Sequence, residues 1–206
     1  QALAIASYSD LDNRLYTLLG YSQIQFGFYR DARESFRKVD LDSYYVNKAL
    51  LGLGVAALYQ KEFASALQAF HRLKNQDDID MSVVEAHLLF AFTLRQLNMI
   101  NESELAYQAA VDYFSKILNS DEKKFYRKSN QTDRTIALLG RMQRVIEEFM
   151  VSDKDRLANM RLTSIRDHIV NTKAEVSENL YQQERHDIRS YFNQAKFGLA
   201  SLYERN

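Results

Sequence analysis

Four histidines, His71, His87, His168 and His186, are the side chains of this sequence best suited to acid–base or metal chemistry. No two of them stand at a ligand spacing such as HExxH, which places two imidazoles one helical turn apart on one face. His71 follows Phe70 near an expected helix end, where a cation complements the helix dipole. His87 sits in a strongly apolar run and reads as a packed core or groove residue. His168 and His186 each adjoin an Asp, but immediate neighbours along a helix point in different directions. Gly52-Leu53-Gly54 is the only GxG. A phosphate loop needs a turn whose amides face the ligand, whereas these glycines lie inside a helix-forming run, so close packing accounts for them. Glu147–Glu148 and Asp153–Asp155 read as charged helix faces or caps. The acidic stretch Asn75 to Asp80 lacks the alternating oxygen ligands and sharp Gly turn of a calcium loop, and reads as a solvated turn favouring the next helix N-terminus. With no cysteine, thiolate catalysis, zinc–thiolate sites and disulfides are excluded. The expectation is a chain without catalytic residues, metal or cofactor.

The elements that carry these residues are helices. The stretch Ala49 to Leu73 reads as two short helices broken at Gln60–Lys61. The first carries Gly52, Gly54, Ala56 and Ala57, small residues where another backbone comes close. The second carries Phe63, Ala66, Leu67 and Phe70, an apolar stripe at spacings of three and four. The same grammar occurs upstream in Leu18 to Val39, where Gly20, Tyr29, Ala32 and Phe36 precede Gly54, Phe63, Ala66 and Phe70 by 34 residues each. A third copy, Leu89 to Val111, places Ala91, Ile100, Ser103 and Tyr107 a further 37 residues on, the extra three assigned to the loop around Asp77–Asp80.

This pattern resembles the tetratricopeptide repeat, a 34-residue helix–turn–helix unit, over roughly Asn13 to Phe114. The family often carries Pro near the end of the second helix, and this chain has none. Parts such as ALLGLGVAAL are also similar to uncharacterised bacterial repeat proteins, a likeness that implies no activity. The resemblance implies an all-α fold: a superhelix of about three helix pairs over residues 1–118, a linker or loop over 119–133, and long C-terminal helices over 134–206 that cap the array or add to it.

Composition agrees with a helical reading. Pro is absent and only 6 Gly occur in 206 residues. Lys plus Arg and Asp plus Glu number 27 each, so net charge supplies no argument for nucleic acid. No apolar run is long enough for a membrane span. Asp10 or Asp12 is a candidate cap for a first helix running to about Phe26, and Gly27 ends it. Beyond the loop, Ile136, Leu139, Met142, Ile146 and Phe149 form a stripe. Ser152 or Asp153 then caps a long segment without a breaker until Gly198. Its middle, Asn171 to Asp187, carries a thin apolar seam, which suits either a long helix on one partner or a polar linker between two helices. The end, NQAKFGLASLYERN, again has the look of a first helix of a repeat. A chain that begins at Gln1 is expected to be a processed or trimmed product or part of something longer; a removed signal peptide and a cloning boundary fit equally. The compartment stays open, with bacterial periplasm or cell envelope favoured over cytoplasm.

In the family the first helix of each pair lines the concave surface. The resemblance therefore assigns Arg14, Thr17, Tyr21 and Gln25 to that face, then Lys48, Leu51, Val55 and Tyr59, then Glu85, Leu88, Phe92 and Arg95. The family's carboxylate clamp of Lys, Asn and Arg is missing, since its places hold Thr17, Tyr21, Gly52, Glu85 and Leu89. The implied role is a non-enzymatic scaffold that takes a peptide or helix of an unidentified protein partner in an apolar groove. In the alternative, the C-terminal helix fills the groove and also builds a homo-oligomer through Ile165, Ile169, Val176 and Leu180.

Overall fold

A computed structural model describes residues 2–76, 80–120, 130–152 and 156–203. Among the described residues there are helices and no strand: α1 (Ala2–Gln25), α2 (Tyr29–Arg37), α3 (Val46–Tyr59), α4 (Phe63–Lys74), α5 (Met81–Gln96), α6 (Ile100–Asn119), α7 (Asn130–Ser152) and α8 (Arg156–Tyr203). The chain divides into two compact units. One comprises residues 1–121 with 188–206, and the other residues 122–187.

In the first unit each helix packs on the next, α1 on α2 through to α5 on α6, and α3 also touches α1 and α5. Three tight turns make the pairs. Gly27, Lys61 and Asn98 hold φ of 81°, 61° and 60°, at corresponding places in the three copies. In each turn that residue donates to the carbonyl three back, and the following amide donates to the carbonyl five back: Phe28 to Gln23, Glu62 to Ala57 and Met99 to Leu94. This is the Schellman ending, which satisfies the last carbonyls of one helix while reversing the chain. Phe28, Glu62 and Met99 then start the second helices with nearly one geometry, φ near −84° and ψ of 60°, 64° and 73°.

Aromatic rings seated on small residues hold the pairs together. A Cβ added at Gly20 would lie 2.5 Å from the Phe36 ring, and one added at Gly52 would also strike that ring. Phe36 is thus clamped between the glycine of its own pair and one from the next. Gly54 seats Phe70 in the same way, and Ala66 and Leu73 close around it. In the third pair Ser103 donates to the Ala91 carbonyl at 3.0 Å beside the buried Tyr107. Asn–Asp bridges join successive pairs: Asn13 to Asp40 at 2.9 Å, and Asn47 to Asp80 at 2.8 Å. Asp80 also caps α5, accepting from the amides of Ser82 and Val83.

Two expectations are corrected. The first helix does not start at Asp10 or Asp12 but runs unbroken from Ala2, because nothing in QALAIASYSD opposes helix. Ser152 lies inside α7 rather than at a cap, while Asp153, with Asp77, Asp78 and most of the 119–133 stretch, lies outside the described residues. Of the two readings left open for residues 171–187, the continuous helix is observed, and α8 is 48 residues long. Gly198 does not interrupt it, because a single Gly costs only about 1 kcal/mol in a helix and this one is buried under a ring. In the second unit, Ile169 is 5% exposed while Ile165 is 50% exposed.

Gly54→Ala should lower stability by about 1–3 kcal/mol, since the methyl enters the Phe70 ring. Gly140→Ala in α7 should raise it by about 0.5–1 kcal/mol, since the nearest atom, Lys173 Nζ, is 3.7 Å away. Phe70→Ala should cost about 3–5 kcal/mol, against at most about 0.5 kcal/mol for Leu105→Ala, whose side chain is 72% exposed. Urea unfolding of the four variants checks the order.

Candidate functional site

The residues that the resemblance assigns to one face lie on α1, α3 and α5, the first helices of the three pairs. They divide into two groups. Leu51 and Leu88 are each only 7% exposed, and Thr17 is buried with its hydroxyl on the Asn13 carbonyl at 2.8 Å. Packing covers all three, Leu51 within a core cluster that includes Phe70 and Leu73 of α4 and Val83 and Ala86 of α5. Tyr21 is also engaged: its hydroxyl donates to the Lys48 carbonyl at 2.9 Å, and its ring meets Phe36 edge-on at 5.1 Å. Burial, with Glu85, Asp80 and Tyr191 nearby, holds the Tyr21 phenol well above its usual range, so it stays a donor.

Val55, Tyr59 and Phe92 form the second group. With Leu58, Lys61, Phe63, Glu85, Leu89 and Gln96 they line a cleft of about 570 Å³ between α3 and α5. Phe92 is 39% exposed and Tyr59 is 59% exposed. The Tyr59 ring is held by stacking on Tyr29 at 4.7 Å, within 4° of parallel. The cleft floor is apolar, and its polar groups, Lys61, Glu85 and Gln96, are few. Leu58, Phe63 and Leu89 were not among the residues assigned to the groove. Helical spacing holds the signal for two of them: 55 and 58 on α3, and 85, 89, 92 and 96 on α5, share a face at three- and four-residue steps. Lys61 enters the cleft because its left-handed backbone closes the turn there.

Residues 188–203 of α8 belong to this unit and lie parallel to α5. Tyr191 donates to Glu85 at 3.2 Å and Arg95 donates to Ser201 at 2.9 Å, both partners being 106 residues apart. On the α6 side, Gly198 faces the Tyr107 ring, and the Tyr203 hydroxyl bonds Glu104. Arg95 is therefore engaged by this segment. Gln25 and Lys48 are exposed and Arg14 is half-buried, and none of them lines the cleft.

The histidines do not gather. His87 stacks on Tyr113 at 3.9 Å, where burial first and Lys74 second lower its pKa to about 4. His71 is exposed in the last turn of α4, and His168 and His186 are exposed on α8. Among the described residues no three His, Asp or Glu assemble as a metal-binding set, and no helix is long and apolar enough to cross a membrane. Comparison of the chain with protein-family models, curated proteins and solved structures gives no match.

Folded His87 stays neutral down to about pH 4, whereas in the unfolded chain it protonates below its ordinary 6.5. Between those values unfolding takes up a proton, so stability is complete above 6.5 and falls as the pH drops toward 4. His87→Phe keeps a ring against Tyr113 and should flatten the fall in melting temperature between roughly pH 7 and pH 5.

Proposed function

We propose that the chain is a tetratricopeptide-like repeat protein and acts as a non-enzymatic scaffold. Its three helix pairs and the segment 188–203 present their first helices to one face, and a segment of a partner protein lies along it. The observation that carries this reading is the apolar cleft between α3 and α5, open to water with Val55, Tyr59 and Phe92 on its walls. Exposed aromatic rings held rigid by neighbours, as Tyr59 is by Tyr29, lose little entropy on binding and favour anchoring contacts. A cleft of this size fits one or two apolar side chains of a helix or extended peptide, with Lys61 and Glu85 at its edges for polar backbone or side-chain contacts.

The alternative, in which the chain's own C-terminal helix fills the groove, has less support. Residues 188–203 take their place beside α5 and α6 and leave Phe92 exposed. The oligomerisation seam has less support too, since its central Ile169 is buried within the second unit. A scaffold role rather than catalysis is supported by the dispersal of the histidines and by the neutral, stacked state of His87.

Retention of a partner on immobilised chain, followed by its identification, is the first experiment. Val55→Asp combined with Phe92→Ala should then abolish capture of that partner while the circular dichroism signal of helix persists. Capture that is unchanged in the double variant rejects the cleft as the binding site.

A further inference from the structure

A second cleft, within the second unit, gathers positive charge. Its volume is about 490 Å³, and its walls come from α7 and from Lys173 of α8. Ile136, Gly140 and Gln143 are half-buried along one stripe of α7, and Ala137, Arg141 and Arg144 form the exposed rim beside it. Among the described residues no carboxylate lines the cleft. The carboxylates that follow on α7 are Glu147 and Glu148, and Glu147 accepts from Gln143 at 3.0 Å. One turn to either side of Lys173 stand Ile169, Val170, Val176 and Ser177, none of them acidic. Among the described residues no hydrogen bond or ion pair engages the side chains of Arg141, Arg144 or Lys173.

Two features of this cleft have no explanation in the packing. The first is its charge. Like charges one turn apart on a helix oppose each other, and Arg141 and Arg144 stand so. Lys173 adds a third from the other helix, although Ile169, Val176 and Leu180 on the same face of α8 are buried or half-buried. The second is Gly140. Gly20, Gly52, Gly54 and Gly198 each lie against an aromatic ring, and Gly27 closes a turn at φ 81°. A side chain at Gly140 would meet nothing nearer than Lys173 Nζ at 3.7 Å. Glycine costs a helix interior about 1 kcal/mol relative to alanine, and no contact here requires it. Its effect is to leave the α7 backbone bare in the cleft, with an ammonium group close by, as suits the near approach of a ligand.

We propose that this cleft binds a phosphate ester. Arg141, Arg144 and Lys173 hold the phosphate, and the apolar substituent of the ester lies on Ile136, Ala137 and the bare backbone at Gly140. A phosphate monoester brings three acceptor oxygens and nearly two negative charges to three cationic side chains, and a guanidinium can take two of the oxygens at once. A carboxylate brings one charge and two oxygens. Among the described residues no aromatic ring lines the cleft, so a nucleic-acid base has no platform to stack on. The volume is that of a small-molecule site. The same chemistry is offered by a free ester and by a lipid headgroup. The site is independent of the cleft between α3 and α5.

Calorimetric titration of the full chain with phenyl phosphate at low salt should saturate, and benzoate should bind about tenfold more weakly or less well still. Gly140→Leu removes no charge but fills the hollow. It should weaken phenyl phosphate about tenfold while the circular dichroism signal of helix persists. Arg141→Gln with Lys173→Gln should abolish binding. Arg37→Gln with Lys48→Gln removes the same charge from exposed positions of the first unit and should leave binding unchanged. Cosedimentation with phosphatidylcholine vesicles containing phosphatidic acid separates the two sources. Vesicle binding that Gly140→Leu removes assigns the phosphate to a lipid headgroup, and its absence assigns it to a free ester. Failure of both phenyl phosphate and the vesicles to bind overturns the proposal, as does benzoate binding equally well. Binding that Gly140→Leu leaves intact, or that the first-unit variant weakens as much as the cleft variant does, overturns it too, by reducing it to attraction between net charges.

Discussion

The first unit depends on one contact: an aromatic ring pressed onto a helix backbone where no side chain intervenes. Phe36 lies against Gly20 and Gly52, Phe70 against Gly54, and Tyr107 against Gly198. Each ring removes its own surface from water, worth about 1.5–3 kcal/mol, and brings two helices closer than any larger residue would permit. Because Phe36 and Tyr107 each touch a later segment of chain as well as their own pair, the contact also sets the step from one pair to the next. The spacing of the array is thus a consequence of where the small residues fall.

The turns make those contacts repeatable. Gly27, Lys61 and Asn98 adopt one left-handed geometry, and the hydrogen bonds around them match. A left-handed Lys is strained relative to Gly, so packing on both sides of the turn holds Lys61 there. One result is functional. A fixed turn gives the first helices a common phase, which sends Leu51 and Leu88 into the packing and leaves Val55 and Phe92 on the cleft wall. Burial and exposure alternate around each first helix for a mechanical reason, and the cleft wall is what remains.

The polar groups of the unit tell the same story. Asn13–Asp40 and Asn47–Asp80 tie the start of one pair to the connection that leads into the next. The Tyr21 hydroxyl ties α1 to α3 at the Lys48 carbonyl. These bonds satisfy backbone and side-chain groups that packing would otherwise strand, which is costly when they are buried. They consume the polar side chains nearest the face, and what is left around the cleft is apolar with a thin charged edge.

Much of this is written locally. Small residues and aromatics recurring 34 residues apart announce paired helices, and they identify Gly20, Gly54, Phe36 and Phe70 as the contact residues before any coordinates are seen. Helix needs only neighbours in the chain, so propensity and spacing suffice. The Asn at the start of the first two copies was equally available, but its Asp partner lies 27 residues on in one case and 33 in the other, and a changing separation hides a repeated bond. The left-handed turns at Lys61 and Asn98 were hidden too, since neither is glycine. Tertiary packing alone decided that residues 188–203 settle beside α5 and α6. It also decided which apolar residues of the first helices stay in water. Burial is a property of two surfaces, and a sequence read along one strand of residues names only the first of them.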